Sequence, residues 1–299
     1  MGDLGGFEVI FYTFKTPSKN PNTPIKTLER LSNEFYEEVI DNPVFELLLL
    51  ENCDRHFLKW CLAKSDRTSV ETLEKLSCEN NFEIHKAITK NPNISAKIID
   101  KYATDENICK LCIRDLIKHV NKISPETWSL LANHSNIDIR WQFAHYALAP
   151  IDIMVTLAND RNERVRSNLV SNRYIHLPVH ILAMLAQDPV YFVRRAVAYN
   201  FNTPVNVLRN LARDEHSWVH RALADNPNTP ADVLRNLAQK ANSDTRCAVA
   251  RNPNTPVDVL ANLARDEHLD IHFGSFDNFS TLGDIRHAAT NNLRNRSGN

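Results

Sequence analysis

The sequence predicts an all-α solenoid of about ten two-helix repeats, each of roughly 26 residues. Three nearly identical stretches, YNFNTPVNVLRNLARDEH, DNPNTPADVLRNLAQKAN and RNPNTPVDVLANLARDEH, place Pro204, Pro230 and Pro256 at intervals of 26 residues. Such a period is typical of solenoids, because one short unit cannot bury its apolar face alone. Looser copies put Pro24, Pro43, Ser69, Ser95, Ser124, Pro150 and Pro178 at the equivalent position.

The first helix of each repeat is predicted to begin at the Asn-Thr-Pro sequence. A threonine such as Thr203 can cap a helix N-terminus, and a proline fits the first helical position, where no N–H is needed. Apolar residues follow three, four and seven positions after the proline, at Val207, Leu208 and Leu211. This spacing predicts one buried helical stripe.

The second helix is predicted to begin near Val193 or Val219 and to carry a small residue three positions later, such as Ala222. It should end at an Asn-Pro pair, because proline cannot continue a helix and Asn226 tolerates the left-handed conformation. Stacked asparagines at this position indicate helix termination and hydrogen bonding between repeats rather than ligand recognition.

The stretch VRRAVAYNFNTPVNVLRNLARDEH and its neighbours resemble the leucine-rich repeat variant family, a HEAT-like group. The resemblance is best over residues 124–265 and loose over residues 24–123. It implies a right-handed superhelix in which an α-helix alternates with a shorter, often 3-10-like helix. Some members of the family resemble carriers of an N-terminal iron–sulfur cluster held by cysteines.

Four segments are predicted. They are an N-terminal cap or tail (1–23), irregular Lys-rich repeats (24–123), regular Arg-rich repeats (124–265), and an inserted loop with a C-terminal cap (266–299). Before residue 124 the chain has 13 Lys and 4 Arg, and after it one Lys and 17 Arg. This switch fits two sub-arrays, but one continuous solenoid over residues 24–299 is the favoured interpretation.

An arginine recurs 16 positions after the proline of many repeats, and an aspartate about ten positions after it. These residues could form a positive stripe for phosphates. Because acid and base recur together, we favour a structural arginine ladder in which they pair within and between repeats. Its predicted members are Arg140, Arg166, Arg194, Arg246 and Arg286 with Asp160, Asp188 and Asp214.

No pattern predicts catalysis, a cofactor or a metal site. Nucleotide-binding glycine loops, the G-x-S-x-G pattern and zinc-ligand spacings are absent from the 299 residues. Cys109 and Cys112 form the only tight cysteine pair, and they lie in an apolar helical stripe typical of a core. A net charge of −1, no secretory signal and no apolar run near 20 residues predict a cytoplasmic protein without membrane contact.

The leading hypothesis is a non-enzymatic scaffold that binds a protein partner on the exposed side of the second helices. The predicted surface comprises Trp141, Arg195, Tyr199, Arg221, Arg251, Phe273, Phe276 and Phe279, the last three in the inserted loop. The alternative is nucleic-acid binding by the Arg-rich half, with a role in DNA repair. The sequence does not identify the partner.

Overall fold

The computed structural model describes residues 17–50, 56–146, 148–172, 176–240, 242–265 and 282–297. Within these ranges all regular secondary structure is helical, and no strand is present. The predicted all-α repeat fold is confirmed. No helix in the described ranges is both long enough and apolar enough to span a membrane.

The chain divides into two compact units, residues 1–131 and 132–299. In the first unit four helices pack on one another in this order: Ile25–Ile40, His56–Lys64, Phe82–Ile88 and Glu106–Leu116. The helices of this unit are α1 Ile25–Ile40, α2 Pro43–Leu50, α3 His56–Lys64, α4 Val70–Leu76, α5 Phe82–Ile88, α6 Ala96–Thr104, α7 Glu106–Leu116, a 3-10 helix Ile117–Lys122, and α8 Pro125–Ala132, which ends at the boundary.

The second unit holds the regular repeats. Its first helices are α10 Ile151–Ala158, α12 Val179–Leu185, α14 Val205–Leu211, α16 Ala231–Lys240 and α18 Val257–Ala264. Its second helices are α9 Ile137–Tyr146, α11 Glu163–Val170, α13 Tyr191–Tyr199, α15 Ser217–Asp225, α17 Ser243–Arg251 and α19 Leu282–Ser297. Each second helix packs on the next one. The order of the helices does not test the predicted division into four segments, which stays a prediction.

The core of each repeat lies between its two helices, as the apolar spacing predicts. Val207, Leu208 and Leu211 of α14 are buried, and Val219 and Leu223 of α15 are buried as well. Both helices of these repeats are α-helical, including the shorter one, which the family resemblance led us to expect in a 3-10-like form. The handedness of the superhelix stays a prediction.

Two details of the helix ends differ from the prediction. Thr203 does not cap α14: its Oγ1 donates back to the carbonyl of Val197 at the end of α13, and Pro204 precedes the helix without a side-chain cap. Asn226 is extended (φ −80°, ψ 119°) rather than left-handed. The reason is steric, because the ring of Pro227 pushes the residue before it into the β region.

These asparagines form a continuous set of hydrogen bonds between repeats, which we call the asparagine ladder. Each side-chain amide donates to a backbone carbonyl near the end of the preceding second helix. The pairs are Asn172 to Ala144, Asn200 to Val170, Asn226 to Ala198, Asn252 to Ala224 and Asn292 to Ala250. The ladder joins each repeat to the preceding one and satisfies carbonyls that a helix end leaves without partners.

Asn292 shows that the repeat register continues in α19. Its amide donates to the carbonyls of Ala250 and Asn252 at 3.0 and 2.9 Å, the same bonds that Asn252 makes one repeat earlier. The segment DIRHAATNN therefore supplies the second helix of the last repeat, as the sequence predicts.

Candidate binding surface

The second helices of the regular repeats share one outward side, which we call the second-helix face. Helical spacing places three residues each of α9, α11, α13 and α15 there and two of α17, where Cys247 at the middle position is buried; residues between them, such as Val193 and Val197 of α13, are buried. The half-buried and exposed members are Asp138, Trp141, His145, Arg164, Ser167, Ser171, Phe192, Arg195, Tyr199, Trp218, Arg221, Asp225, Asp244 and Arg251.

The densest group of exposed aromatic rings lies on α13 and α15 and in the turn that follows α13. Tyr199, Phe201 and Trp218 are 51%, 54% and 47% exposed. The Tyr199 and Phe201 ring centres lie 5.8 Å apart. The guanidinium carbon of Arg195 lies 5.5 Å from the centre of the Trp218 ring, within cation–π range.

Arg221 is more constrained than Arg195. Its Nε donates to the Asp225 carboxylate at 3.0 Å, and its Nη1 donates to the backbone carbonyl of Asp244 at 3.0 Å. The side chain therefore links α15 to α17. Arg251 is exposed at the end of α17.

Trp141 lies apart from this group, on α9. It is half-buried, its ring is stacked on His145 at 6.4 Å, and its backbone carbonyl accepts a hydrogen bond from Asn168. The structure thus brings Arg195, Tyr199 and Arg221 together on neighbouring helices and places Trp141 two second helices away. Phe273, Phe276 and Phe279 lie outside the described residues, so their predicted role is untested.

The arginine ladder links successive repeats through buried ion pairs. Arg140 pairs with Asp160 at 2.7 Å, Arg166 with Asp188 at 2.6 Å, and Arg194 with Asp214 at 2.6 Å. Each of these aspartates lies one repeat further along the chain than its arginine. Within a repeat the contact is to the backbone instead, as where Arg194 donates to the Asp188 carbonyl at 2.7 Å.

These ion pairs stabilise the charged forms of the aspartate and arginine side chains. Burial raises the pKa of Asp214, but the hydrogen bonds from Arg194 and from the His216 backbone N–H, together with the positive charge of Arg194, outweigh it, so the pKa of Asp214 is below its ordinary value. The hydrogen bond to Asp188 raises the pKa of Arg166. The Arg140 and Asp160 side chains are only 4% and 5% exposed. Because these guanidinium groups direct donors to an aspartate and to backbone carbonyls, an external phosphate would have to compete with those partners.

The C-terminal end of the ladder is described in part. Arg246 lies on α17 at the ladder position, but Asp266, the aspartate one repeat further on, lies outside the described residues. Arg286 lies on α19 at the equivalent position, and its side chain lies outside the described part as well. Their predicted membership stays a prediction.

Two groups escaped the sequence analysis. Trp218 and Phe201 are exposed, although only Tyr199 and the neighbouring arginines were predicted as surface residues. The sequence indicates Trp218 by its outward helical position, whereas Phe201 lies in the turn after α13. Arg209 with Asp232 and Arg235 with Asp258 form a second series of ion pairs, 23 residues apart, on the first helices. Its signal was the recurrence of both residue types at fixed offsets.

Most of the described cysteines lie in the core. Cys61, Cys109, Cys112 and Cys247 are buried, and Cys78 is exposed. Burial raises the pKa of the Cys61 and Cys109 thiols to about 12 and that of Cys112 to about 11. Across the described ranges no group of three or more His, Cys, Asp or Glu side chains could hold a metal ion.

The fold and its stacked helix pairs define a helical repeat protein. The profile of the leucine-rich repeat variant family matches residues 244–268, which confirms the predicted resemblance for that repeat. A solved structure described as a leucine-rich repeat variant with a novel repetitive structural motif has a TM-score of 0.52, 19% identity, and coverage of 74% of this chain and 85% of that chain. The chain therefore has the fold of a leucine-rich repeat variant protein.

Two further comparisons add no evidence about the fold or the function. A computationally designed armadillo repeat protein for modular peptide recognition is 13% identical, with coverage of 84% of this chain and 98% of that chain, but its TM-score of 0.20 supports no argument. No curated protein matches the chain significantly.

Proposed function

We propose that this protein is a non-enzymatic scaffold that binds a protein partner on the second-helix face of its regular repeats. The observation that carries this proposal is the exposure of three aromatic side chains on adjacent repeats: Tyr199 and Phe201, whose rings are neighbours, and Trp218, whose ring lies beside Arg195. Exposing large rings to water is unfavourable, and clustered exposed apolar side chains are characteristic of interaction sites. Aromatic and arginine side chains also dominate the energetics of protein interfaces.

The same geometry supports protein over nucleic acid as the partner. Phosphate binding would draw on unpaired cations along the face. Arg140, Arg166 and Arg194 are instead paired with aspartates, and Arg221 is paired with Asp225. Among the described residues of this face, Arg164, Arg195 and Arg251 have no carboxylate within ion-pair distance, but they are spread over the helices α11 to α17 and do not form a continuous row for a phosphate backbone.

Selection from a random peptide library displayed on phage, with the whole chain as bait, tests the proposal. Peptides enriched on the wild-type protein are then measured against Trp218→Ala and against Val257→Ala, a control that removes another exposed apolar side chain, on α18. Loss of a central aromatic contact costs about 2 kcal/mol or more, so Trp218→Ala should weaken binding about 30-fold. Val257→Ala should leave it unchanged.

Two results would overturn the proposal. Enriched peptides that bind Trp218→Ala as tightly as the wild type would place the binding surface elsewhere. Nucleic acid that purifies with the protein at low salt, gives excess ultraviolet absorbance and is removed by high salt would favour the other class of partner.

A further inference from the structure

The part of the second-helix face on α13, α15 and α17 is set in a locally basic segment. Residues 191–251 hold nine Lys and Arg against five Asp and Glu, a formal charge of +4, whereas the whole chain has a charge of −1. Part of this excess lies on first helices and turns; on this part of the second-helix face itself Arg195, Arg221 and Arg251 outnumber Asp225 and Asp244 by one charge. Electrostatic complementarity therefore favours a partner segment that carries negative charge.

The described ion pairs show which arginines of this segment already have a carboxylate partner and which do not. Arg194 is paired with Asp214, Arg209 with Asp232, and Arg235 with Asp258. Arg221 is paired with Asp225 on its own helix. Among the described residues no carboxylate lies within ion-pair distance of Arg195 or Arg251, and both side chains are exposed on the second-helix face.

The two arginines flank the aromatic group at a definite separation. Arg195 lies on α13 beside the Trp218 ring, and Arg251 lies on α17, two packed helices further on. Packed helices are 8–10 Å apart, so the two side chains are separated by about 20 Å. An extended chain covers about 3.3 Å per residue, and a segment of about six residues therefore spans this distance.

We propose that this surface binds an extended acidic segment of a partner protein. One carboxylate pairs with Arg195, a second about six residues away pairs with Arg251, and an apolar side chain between them packs on Trp218. Neutral or basic residues of the segment face Asp225 and Asp244, which lie on the same face of α15 and α17. This inference rests on the proposed function and narrows it to one chemistry of partner.

The experiment uses the peptides enriched from the random library and measures three arginine variants of the whole chain. The variants are Arg195→Gln, Arg251→Gln and the control Arg213→Gln, an exposed arginine in the turn after α14. We expect enriched peptides with an excess of Asp and Glu. Loss of one charge-assisted hydrogen bond should weaken their binding at least about 10-fold in each of the first two variants and leave it unchanged in the control.

The possible outcomes separate this inference from the proposed function. Neutral or basic peptides whose binding is lost in Trp218→Ala would overturn the acidic partner and keep the surface. Acidic peptides unaffected by Arg195→Gln and Arg251→Gln would overturn the assigned contacts. Binding of a thymidine oligonucleotide in preference to every peptide, with steep salt dependence, would overturn both.

Discussion

Replacing Asn226 with alanine should test the asparagine ladder most sharply. The Asn226 side chain is fully buried. Its amide donates to the carbonyls of Ala198 and Asn200 at 2.8 and 3.1 Å, and its Oδ1 accepts from the Asn228 N–H at 2.9 Å. The substitution removes all three hydrogen bonds and leaves the two carbonyls of the preceding repeat without this donor.

The magnitude follows from those three bonds. Each hydrogen bond contributes about 0.5–1.5 kcal/mol net, so Asn226→Ala should lower the free energy of unfolding by about 2–4 kcal/mol. Asn226→Asp keeps the acceptor but places a carboxylate against two carbonyl oxygens, so it should destabilise at least as strongly. The control is Asn228→Ala, which removes one exposed bond to the Phe201 carbonyl and should cost less than about 1 kcal/mol.

Urea unfolding followed by circular dichroism at the helical band measures these differences. The comparison is valid where the denaturant slope is equal among the variants, since a changed slope signals a change in cooperativity. Equal stability losses for Asn226→Ala and Asn228→Ala would refute the reasoning, because the ladder would then contribute no more than a surface hydrogen bond.

The remaining predictions concern the ion pairs, the core and the titration of a buried histidine. Asp160→Asn leaves the buried Arg140 without its carboxylate and should cost about 3 kcal/mol, whereas Asp232→Asn breaks an exposed pair and should cost less than about 1 kcal/mol in the same urea assay. Leu234→Asp buries an unpaired charge and should disrupt stacking with both neighbouring repeats; an unchanged cooperative unfolding transition would show that the repeat register is wrong. Burial lowers the pKa of His85, so the unfolded chain binds its proton more readily and stability should fall as the pH decreases below about 6.5. His85→Gln should flatten the dependence of the urea midpoint on pH in that window. An unaltered dependence on pH would contradict its assignment to His85.

The fold could be predicted from the sequence because every repeat must bury the same apolar positions in order to stack on its neighbours. Val207, Leu208 and Leu211 recur at one spacing, and the structure buries all three. The hydrogen-bond partner of the Thr203 side chain could not be predicted in the same way. A threonine before a proline can bond forward to its own helix or back to the previous one, and only the packed structure places the Val197 carbonyl within its reach.

The candidate surface was less predictable than the fold. Arg195, Tyr199 and Arg221 were identified from their exposed positions, but Trp218 was missed although it also lies at an outward helical position. Its significance comes from the neighbouring helix, which brings Arg195 over its ring. Contacts of this kind depend on how two repeats pack, and the spacing within one repeat does not reveal them.

Photocrosslinking from Tyr199 tests the central claim most directly. The photoreactive residue p-benzoylphenylalanine is placed at position 199 on the second-helix face or at Val257 on α18; these positions are 51% and 59% exposed. Each variant of the whole chain is irradiated with an enriched library peptide. Crosslinking from position 199 and none from position 257 is the result that the account predicts. Crosslinking from position 257 alone would contradict it, because the partner would then lie on the first helices.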